Sequence, residues 1–432
     1  MKLLLYIFSS FFLTVASFKM SAQNAMAIDT TNNDYKNRLL QIIDKESIKS
    51  ITEINKIEDR GVRKRFLKDY SEKKSDFEDL IKKGIFIEHP LYTKLVNVIL
   101  QKIKLGNPDV NFDEIKLLLA INQSINAYNC GDGIVVINLP LIFNIDNQYD
   151  LAYIISHEIG HQKLNHVYQS MLKSSRLNNS KEVLNQTRIV NKQKYNKSNL
   201  ASSIFKKIVY QNREESRENE HQADSLGYIY FRNSYPNFDN NAIETLRELK
   251  DIDNVNDSLT KPDFVKFFEV STLKFKEEWL ASDISKYSYQ QTEKYWNVDS
   301  LRTHPDCDVR IAYLQKIFKI QQKAKPKENV FFKEIKVNAD NEYVFSLYFL
   351  EQYGDSLYYT LLKLKNNPSN PFLKKMIYDN LIKLSEARNN YTLNRYLETE
   401  NPKYSESYNQ FLCLIRNLRK NELIQIIDFY KY

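Results

Sequence analysis

Apolar residues recur at helical spacing along much of this 432-residue chain, and only 8 Gly and 10 Pro interrupt them. Helices are expected near Tyr35–Lys49 and Arg63–Lys83, in a polar, charge-mixed stretch, and again over 91–100 (Leu-Tyr-Thr-Lys-Leu-Val-Asn-Val-Ile-Leu). The pattern then shortens. Glu114–Ile121 reads as a strand, and two shorter runs, Ile125–Tyr128 and Ile134–Asn138, flank the turn sequence Asn-Cys-Gly-Asp-Gly. Asp146 or Asn147 is placed to cap the next helix, expected to run to about Leu172. Residues 177–200, rich in Asn, Lys, Ser and Gln, read as an exposed excursion before a second long helix over roughly Ile204–Phe231. Aromatic-rich helical pieces fill 250–300, with an insertion at roughly 250–295 that has the potential to restrict a cleft. Lys325-Pro326-Lys327 marks a linker into Tyr/Leu/Asn/Lys-rich helices that reach Tyr432. Tyr353-Gly354-Asp355 and Asn367-Pro368 fall where helix-hairpin turns belong, faintly like tetratricopeptide hairpins but without a convincing period. The expected fold class is α+β and predominantly α-helical, with one small sheet.

Composition narrows this little: 42% hydrophobic and 27% charged residues are ordinary for a globular protein. The +8 formal charge is spread along the chain, without a basic arm or aromatic-basic stripe, so nucleic acid is not an expected partner. The N-terminus changes the picture more. Lys2, the apolar stretch Leu3–Phe18, Lys19 and the small pair Ser21-Ala22 have the layout of a secretory signal peptide cut near residue 22. The expected location is therefore periplasmic or extracellular, with at most peripheral membrane contact. Outside the cytoplasm a Cys130–Cys307 bridge is one expectation and three unpaired cysteines the other.

The chemistry is carried by Tyr-Ile-Ile-Ser-His157-Glu158-Ile-Gly-His161. Two His four residues apart on a helix differ by about 40° around its axis, so both rings face one point and suit two Zn–N bonds. Glu158, about 100° round from His157, lies beside such a metal and is placed to take a proton from its water. With 6 His in the chain, this motif is unlikely by chance. His166 is out of phase with the pair and reads as a supporting or surface residue rather than a ligand. Downstream, Ser216-Arg217-Glu218-Asn219-Glu220-His221-Gln222-Ala223-Asp224 puts Glu220 and Asp224 on one helix face. One of these carboxylates can bind zinc, the other can accept the N–H of a ligand His, and Ala223 permits close helix packing.

The pair HEIGH and EHQAD, with SRENE before it, resembles the HtpX/BepA family of zinc metallopeptidases, gluzincins that include the CAAX prenyl proteases. The resemblance extends over roughly 86–320. It implies a gluzincin fold with a small sheet beside the His-Glu-x-x-His helix, one Zn²⁺ per chain, and polypeptide substrates. Asn126-Ala127 and the strand Ile134–Asn138 are similar to the family's edge strand, which implies that Asn126 and Ala127 align a peptide by β-augmentation. Thr303-His304-Pro305 through Arg310 is similar to the segment that closes over the metal in relatives. It implies that His304 either stabilises the reaction intermediate or caps the zinc, and that Arg310 orients the loop or binds substrate. The absence of spanning helices after residue 22 resembles the exported branch, which points to unfolded envelope proteins as substrates and protein quality control as the role. The full expectation is zinc on His157, His161 and Glu220, with Glu158 as base, Asp224 orienting a ligand His, and His304 assisting. The expected organisation is 1–22 signal peptide, 23–85 N-terminal helical segment, 86–325 metallopeptidase domain, and 326–432 helical region able to meet a protein partner. A second reading, an exported chaperone that keeps a zinc site but rarely cleaves, rests on the helical tail and the capping role of His304.

Overall fold

The computed structural model describes residues 28–181, 183, 185, 217–251, 258–282, 307–320, 326 and 330–431. The apolar start, the excursion beyond 185, the first part of the helix expected from Ile204, and His304 lie outside the described residues. The chain divides into two compact units, one formed by 29–255 with 288–333, the other by 256–287 with 334–432.

The first unit is built on a four-stranded mixed sheet of order β1-β2-β4-β3. Its strands are β1 (Phe86–Ile87), β2 (Lys116–Ala120), β3 (Ala127–Gly131) and β4 (Ile134–Asn138). β2 and β4 run parallel, Lys116 opposite Ile134 and Ala120 opposite Asn138. β3 returns antiparallel along β4, Ala127 opposite Ile137, with a bulge between Asn129 and Gly131. The expected strand at Ile125–Tyr128 is thus moved two residues on. The turn takes up the difference through Gly131, Asp132 and Gly133, all at positive φ. A Cβ at Gly133 would collide with the Glu114 carbonyl, so glycine is required there. β3 is left at the sheet edge, with no further strand beyond it among the described residues.

Alternation decides what covers each face of the sheet. Leu118, Ala120, Ile134 and Val136 pack with Leu39, Ile43, Ile81 and Phe86. Leu39 and Ile43 come from α1 (Asn33–Asn55), and Ile81 from α2 (Arg60–Lys82). Asn32 and Asp59 cap these two helices, each accepting a backbone N–H two or three residues into the first turn. The opposite face carries α3 (Pro90–Gly106) and α5 (Gln148–Lys163), while the short α4 (Leu139–Asn144) follows β4 directly. All of β4 is buried.

α5 is the central helix, and every residue from Asp150 to Gly160 is buried. It is apolar on all sides and carries little amphipathic signal. Its start is clear nonetheless, because Asn147 and Asp150 form a reciprocal capping box with bonds of 3.2 and 3.1 Å. The expected continuous helix to Leu172 is in fact two. Asn165 adopts the left-handed conformation (φ 55°), ending α5, and α6 (His166–Asn178) sets off anew. Asn tolerates this conformation better than most residues, which is why the break falls there. The helix over 217–234, called α7, then crosses α5, and α8 (Asn241–Asp251) and α9 (Cys307–Phe318) complete the unit.

In the second unit, α10 (Lys261–Phe268) and the turn at Glu277–Leu280 join four consecutive long helices of the C-terminal region: α11 (Tyr353–Asn366), α12 (Pro371–Asn389), α13 (Glu406–Asn417) and α14 (Lys420–Tyr430). Phe264, Phe267, Phe268 and Trp279 share one apolar core with Leu361, Leu381, Phe411 and Ile426. The described part of the aromatic insertion is therefore core material of this unit. Large rings at helical spacing need a complementary apolar surface, and the C-terminal helices supply it. Trp279 donates its Nε1–H to Glu422 at 3.2 Å, and Lys276 pairs with the same carboxylate. No described helix is long and apolar enough to cross a membrane.

Candidate metal centre

Two helices bring the site together, α5 with His157, Glu158 and His161, and α7 with Glu220 and Asp224. Their close crossing depends on glycine. A Cβ at Gly227 would stand 2.6 Å from the His157 Cα, and one at Gly160 would stand 2.8 Å from the Ala223 carbonyl oxygen. Ala223 itself is fully buried in the same contact. The small-residue requirement expected of Ala223 is thus shared with one glycine on each helix, so the two backbones approach within van der Waals contact.

At this crossing His157, His161 and Glu220 bring one ligand atom each to within 4.8 Å of one another. The two Nε2 atoms are 3.1 Å apart. Glu220 Oε2 lies 3.5 Å from His157 Nε2, and its Oε1 lies 3.3 Å from His161 Nε2. Two tetrahedral bonds of roughly 2.1 Å place their donors about 3.4 Å apart, so this donor set fits a zinc ion without rearrangement. Glu158 is 6% exposed, and its Oε1 is 4.0 Å from His157 Nε2, beside the three donors rather than among them. Burial raises its pKa above the usual carboxylate range, while His157 and His161 pull the other way. The Asn129 backbone, on the edge strand, also opposes the rise. Burial alone would raise Glu220 as well. Hydrogen bonds from His157 and His161 reverse that and hold it well below its ordinary value, fully ionised.

Asp224 stands behind His157, its Oδ1 2.9 Å from Nδ1, and is completely buried. This placement leaves Nε2 free to face the other donors, since the proton sits on the nitrogen that Asp224 accepts from. Asp224 resists the upward push of burial because the Arg310 guanidinium holds it ionised. Arg310 donates to both carboxylate oxygens, from Nε at 2.7 Å and Nη2 at 2.6 Å. Tyr153 adds a third donor through its hydroxyl at 3.0 Å. Burial and Arg310 oppose a charged His157, yet Asp224 and Glu220 prevail and raise its pKa to about 10.

Arg310, expected to orient the loop or to bind substrate, lies inside the protein. It is 3% exposed, bidentate on Asp224, and its Nη1 stands 3.4 Å from Glu220 Oε2. The guanidinium is spent inside the protein, because a fully buried Asp224 requires a counter-charge. Arg310 and Tyr153 are thus supports of the metal-facing histidine. Sequence reasoning had no signal for Tyr153, which sits one turn before His157 in a run that is buried throughout. His221, the second residue of EHQAD, turns away and stacks on Tyr313 at 4.1 Å. Asn126 and Ala127 lie at the start of the edge strand, where the Asn126 carbonyl accepts from the Asn138 backbone N–H at 3.0 Å. No disulfide joins Cys130 to Cys307, so the second expectation, three cysteines outside any bridge, is the one the structure shows. Burial pushes the Cys130 thiol up to about 12, which leaves it an inert packing group.

No individual curated protein matches the chain. The sequence profile described as "Peptidase family M48" matches residues 94–318, slightly more than half of the chain and the stretch that contains both helices of the site. Peptidases of this family are metal-dependent, typically through zinc, and act on polypeptides. This chain belongs to peptidase family M48.

Proposed function

We infer that the protein is a zinc-dependent metalloendopeptidase that cleaves extended or misfolded protein segments in the cell envelope. The observation that carries the reading is the convergence of His157 Nε2, His161 Nε2 and the Glu220 carboxylate, with Glu158 buried beside them. When bound, zinc supplies a Lewis acid that acidifies a water molecule and polarises the scissile carbonyl. Among the described residues His157, His161 and Glu220 are the three that would hold the ion, a donor set typical of catalytic rather than four-ligand structural zinc. Glu158, raised by burial, is a stronger base than an exposed carboxylate and takes the water's proton. Asp224 fixes the tautomer of His157, and Arg310 keeps Asp224 ionised while it does so. The outer edge of β3, beginning at Asn126-Ala127 and unpaired with any strand among the described residues, offers backbone groups to an extended peptide. Extended or unfolded segments fit such an edge because a folded strand or helix has already satisfied its own backbone. The envelope assignment rests on the signal-like first 22 residues, and quality control on the resemblance to the exported branch.

The test is Glu158→Gln in the full-length, zinc-loaded chain. The isosteric amide keeps the fold and the three ligands but has no base, so cleavage of an unfolded protein should fall at least about 100-fold with zinc content unchanged. Retained zinc-dependent proteolysis would sink the mechanism. Complete rescue of a deletion phenotype by the same variant would favour the chaperone reading instead.

A further inference from the structure

The two metal-facing histidines are supported differently. Asp224 stands behind His157, and the ring of His166 stands behind His161. The helix phase of a residue five positions beyond His161 points it away from the metal face. The left-handed Asn165 breaks that phase, and α6 then begins with His166 turned back toward α5. His166 is 7% exposed, and its Nδ1 lies 2.9 Å from Nδ1 of His161. Its Nε2 lies 3.3 Å from Gln222 Oε1, and Gln222 in turn donates to Glu218 Oε1 at 2.9 Å.

Only one proton arrangement satisfies this series when His161 Nε2 serves a metal. The His161 proton must sit on Nδ1 and be donated, so Nδ1 of His166 must be the acceptor. The His166 proton is then on Nε2 and goes to the Gln222 carbonyl oxygen, whose amide nitrogen donates onward to Glu218. Each link runs the same way. Gln222 and Glu218 lie on α7, the helix that carries Glu220, so the series ties His161 to the helix of the third donor.

We propose that His166 is a positioning residue: its Nδ1 accepts from His161, fixes the metal-binding tautomer and ring orientation, and thereby sets zinc affinity. The inference rests on the zinc reading above and extends it to the neutral partner of the second ligand. A neutral imidazole withdraws less proton character from His161 than a carboxylate would, so the two ligands differ in basicity.

Competition with a fluorescent zinc chelator on the full-length chain tests this without any substrate. His166→Phe, which keeps the ring and removes the acceptor, should weaken zinc binding by about 10- to 100-fold. His166→Asn places its Oδ1 where Nδ1 stood and should recover most of that loss. His166→Gln places its polar atoms at the Nε2 position and should not. Unchanged affinity in the Phe variant overturns the proposal, as does recovery by Gln equal to that by Asn, since either shows that packing is all His166 provides. A wild-type chain that binds zinc but cleaves nothing would end the proteolytic reading, yet the affinity series would still decide the role of His166. A chain that binds no zinc would overturn both.

Discussion

The two units differ in how many ionisable side chains they bury. The metallopeptidase unit buries Asp150, His157, Glu158, Asp224 and Arg310, each at most 6% exposed. In the helical unit the buried polar residues are mostly Ser346, Ser356, Thr360, Asn380 and Ser407, with Glu342 and Glu422 the buried carboxylates. Two of those hydroxyls return to a carbonyl of their own helix, Ser346 to Glu342 and Thr360 to Ser356. Such groups satisfy themselves locally and ask little of the tertiary structure. Asp224 cannot. Its carboxylate needs Arg310 from 86 residues away, and Arg310 needs Asp224. Buried ion pairs are seldom the most stabilising solution, so their concentration around one helix crossing marks where stability yields to chemistry. The helical unit, with its continuous apolar core, is built like a scaffold.

Three substitutions press on this contrast. The largest effect is expected from Arg310→Met, which fills the space but takes the guanidinium counter-charge from the buried Asp224. With the guanidinium gone and only Tyr153 and His157 left to meet the Asp224 carboxylate, the metallopeptidase unit should lose about 3–5 kcal/mol, read as a shift of its urea midpoint. A loss under about 1 kcal/mol would mean that Asp224 is neutralised more easily than its surroundings indicate. In the helical unit the corresponding weak point is apolar. Leu361, fully buried, should cost about 3 kcal/mol when changed to Ala, through lost transfer energy and a cavity. A near-neutral result would show that this core collapses around the gap and is looser than its burial suggests.

The smallest effect concerns Asp150 and is visible only against pH. Burial raises its pKa from 3.8 to about 6, and hydrogen bonds from Asn241, Thr245 and the Asn147 backbone offset part of the rise. Asp146 is the charged neighbour that adds to it. A carboxyl with a raised folded pKa binds its proton more tightly folded than unfolded. Its contribution is therefore fully present below pH 3.8 and is lost as pH climbs through about 6. Asp150→Asn should remove up to about 3 kcal/mol of stability change between those limits, measured by denaturation at a series of pH values. An unaltered pH profile would place the titration elsewhere.

Much of this was legible in the residues. Asp146 and Asn147, the two candidate caps, marked the start of the central helix, and the spacing of His157, Glu158 and His161 told which face would carry the metal. Glu220 and Asp224, four apart, were readable as ligand and support because a helix puts such pairs on one face. The end of the helix was less legible, because a continuous apolar run hides a break that depends on one left-handed Asn165. The aromatics from Phe264 to Trp279 gave a helical pattern without a destination. Arg310 offered a charge whose partner, Asp224, lies on another helix.

The sequence by itself determined the chemistry on offer, namely the donor types, the general base and the helix faces that present them, because these follow from local spacing. Tertiary structure decided which distant groups complete them. It placed Arg310 behind His157 rather than at the substrate, His166 behind His161 rather than at the surface, and Gly160 with Gly227 at the crossing. It also sent residues 258–282 into the core of the helical unit. The physical reason is common to all four. A helix fixes the direction of its own side chains, but burial, counter-charge and close packing are settled only when another segment arrives to supply them.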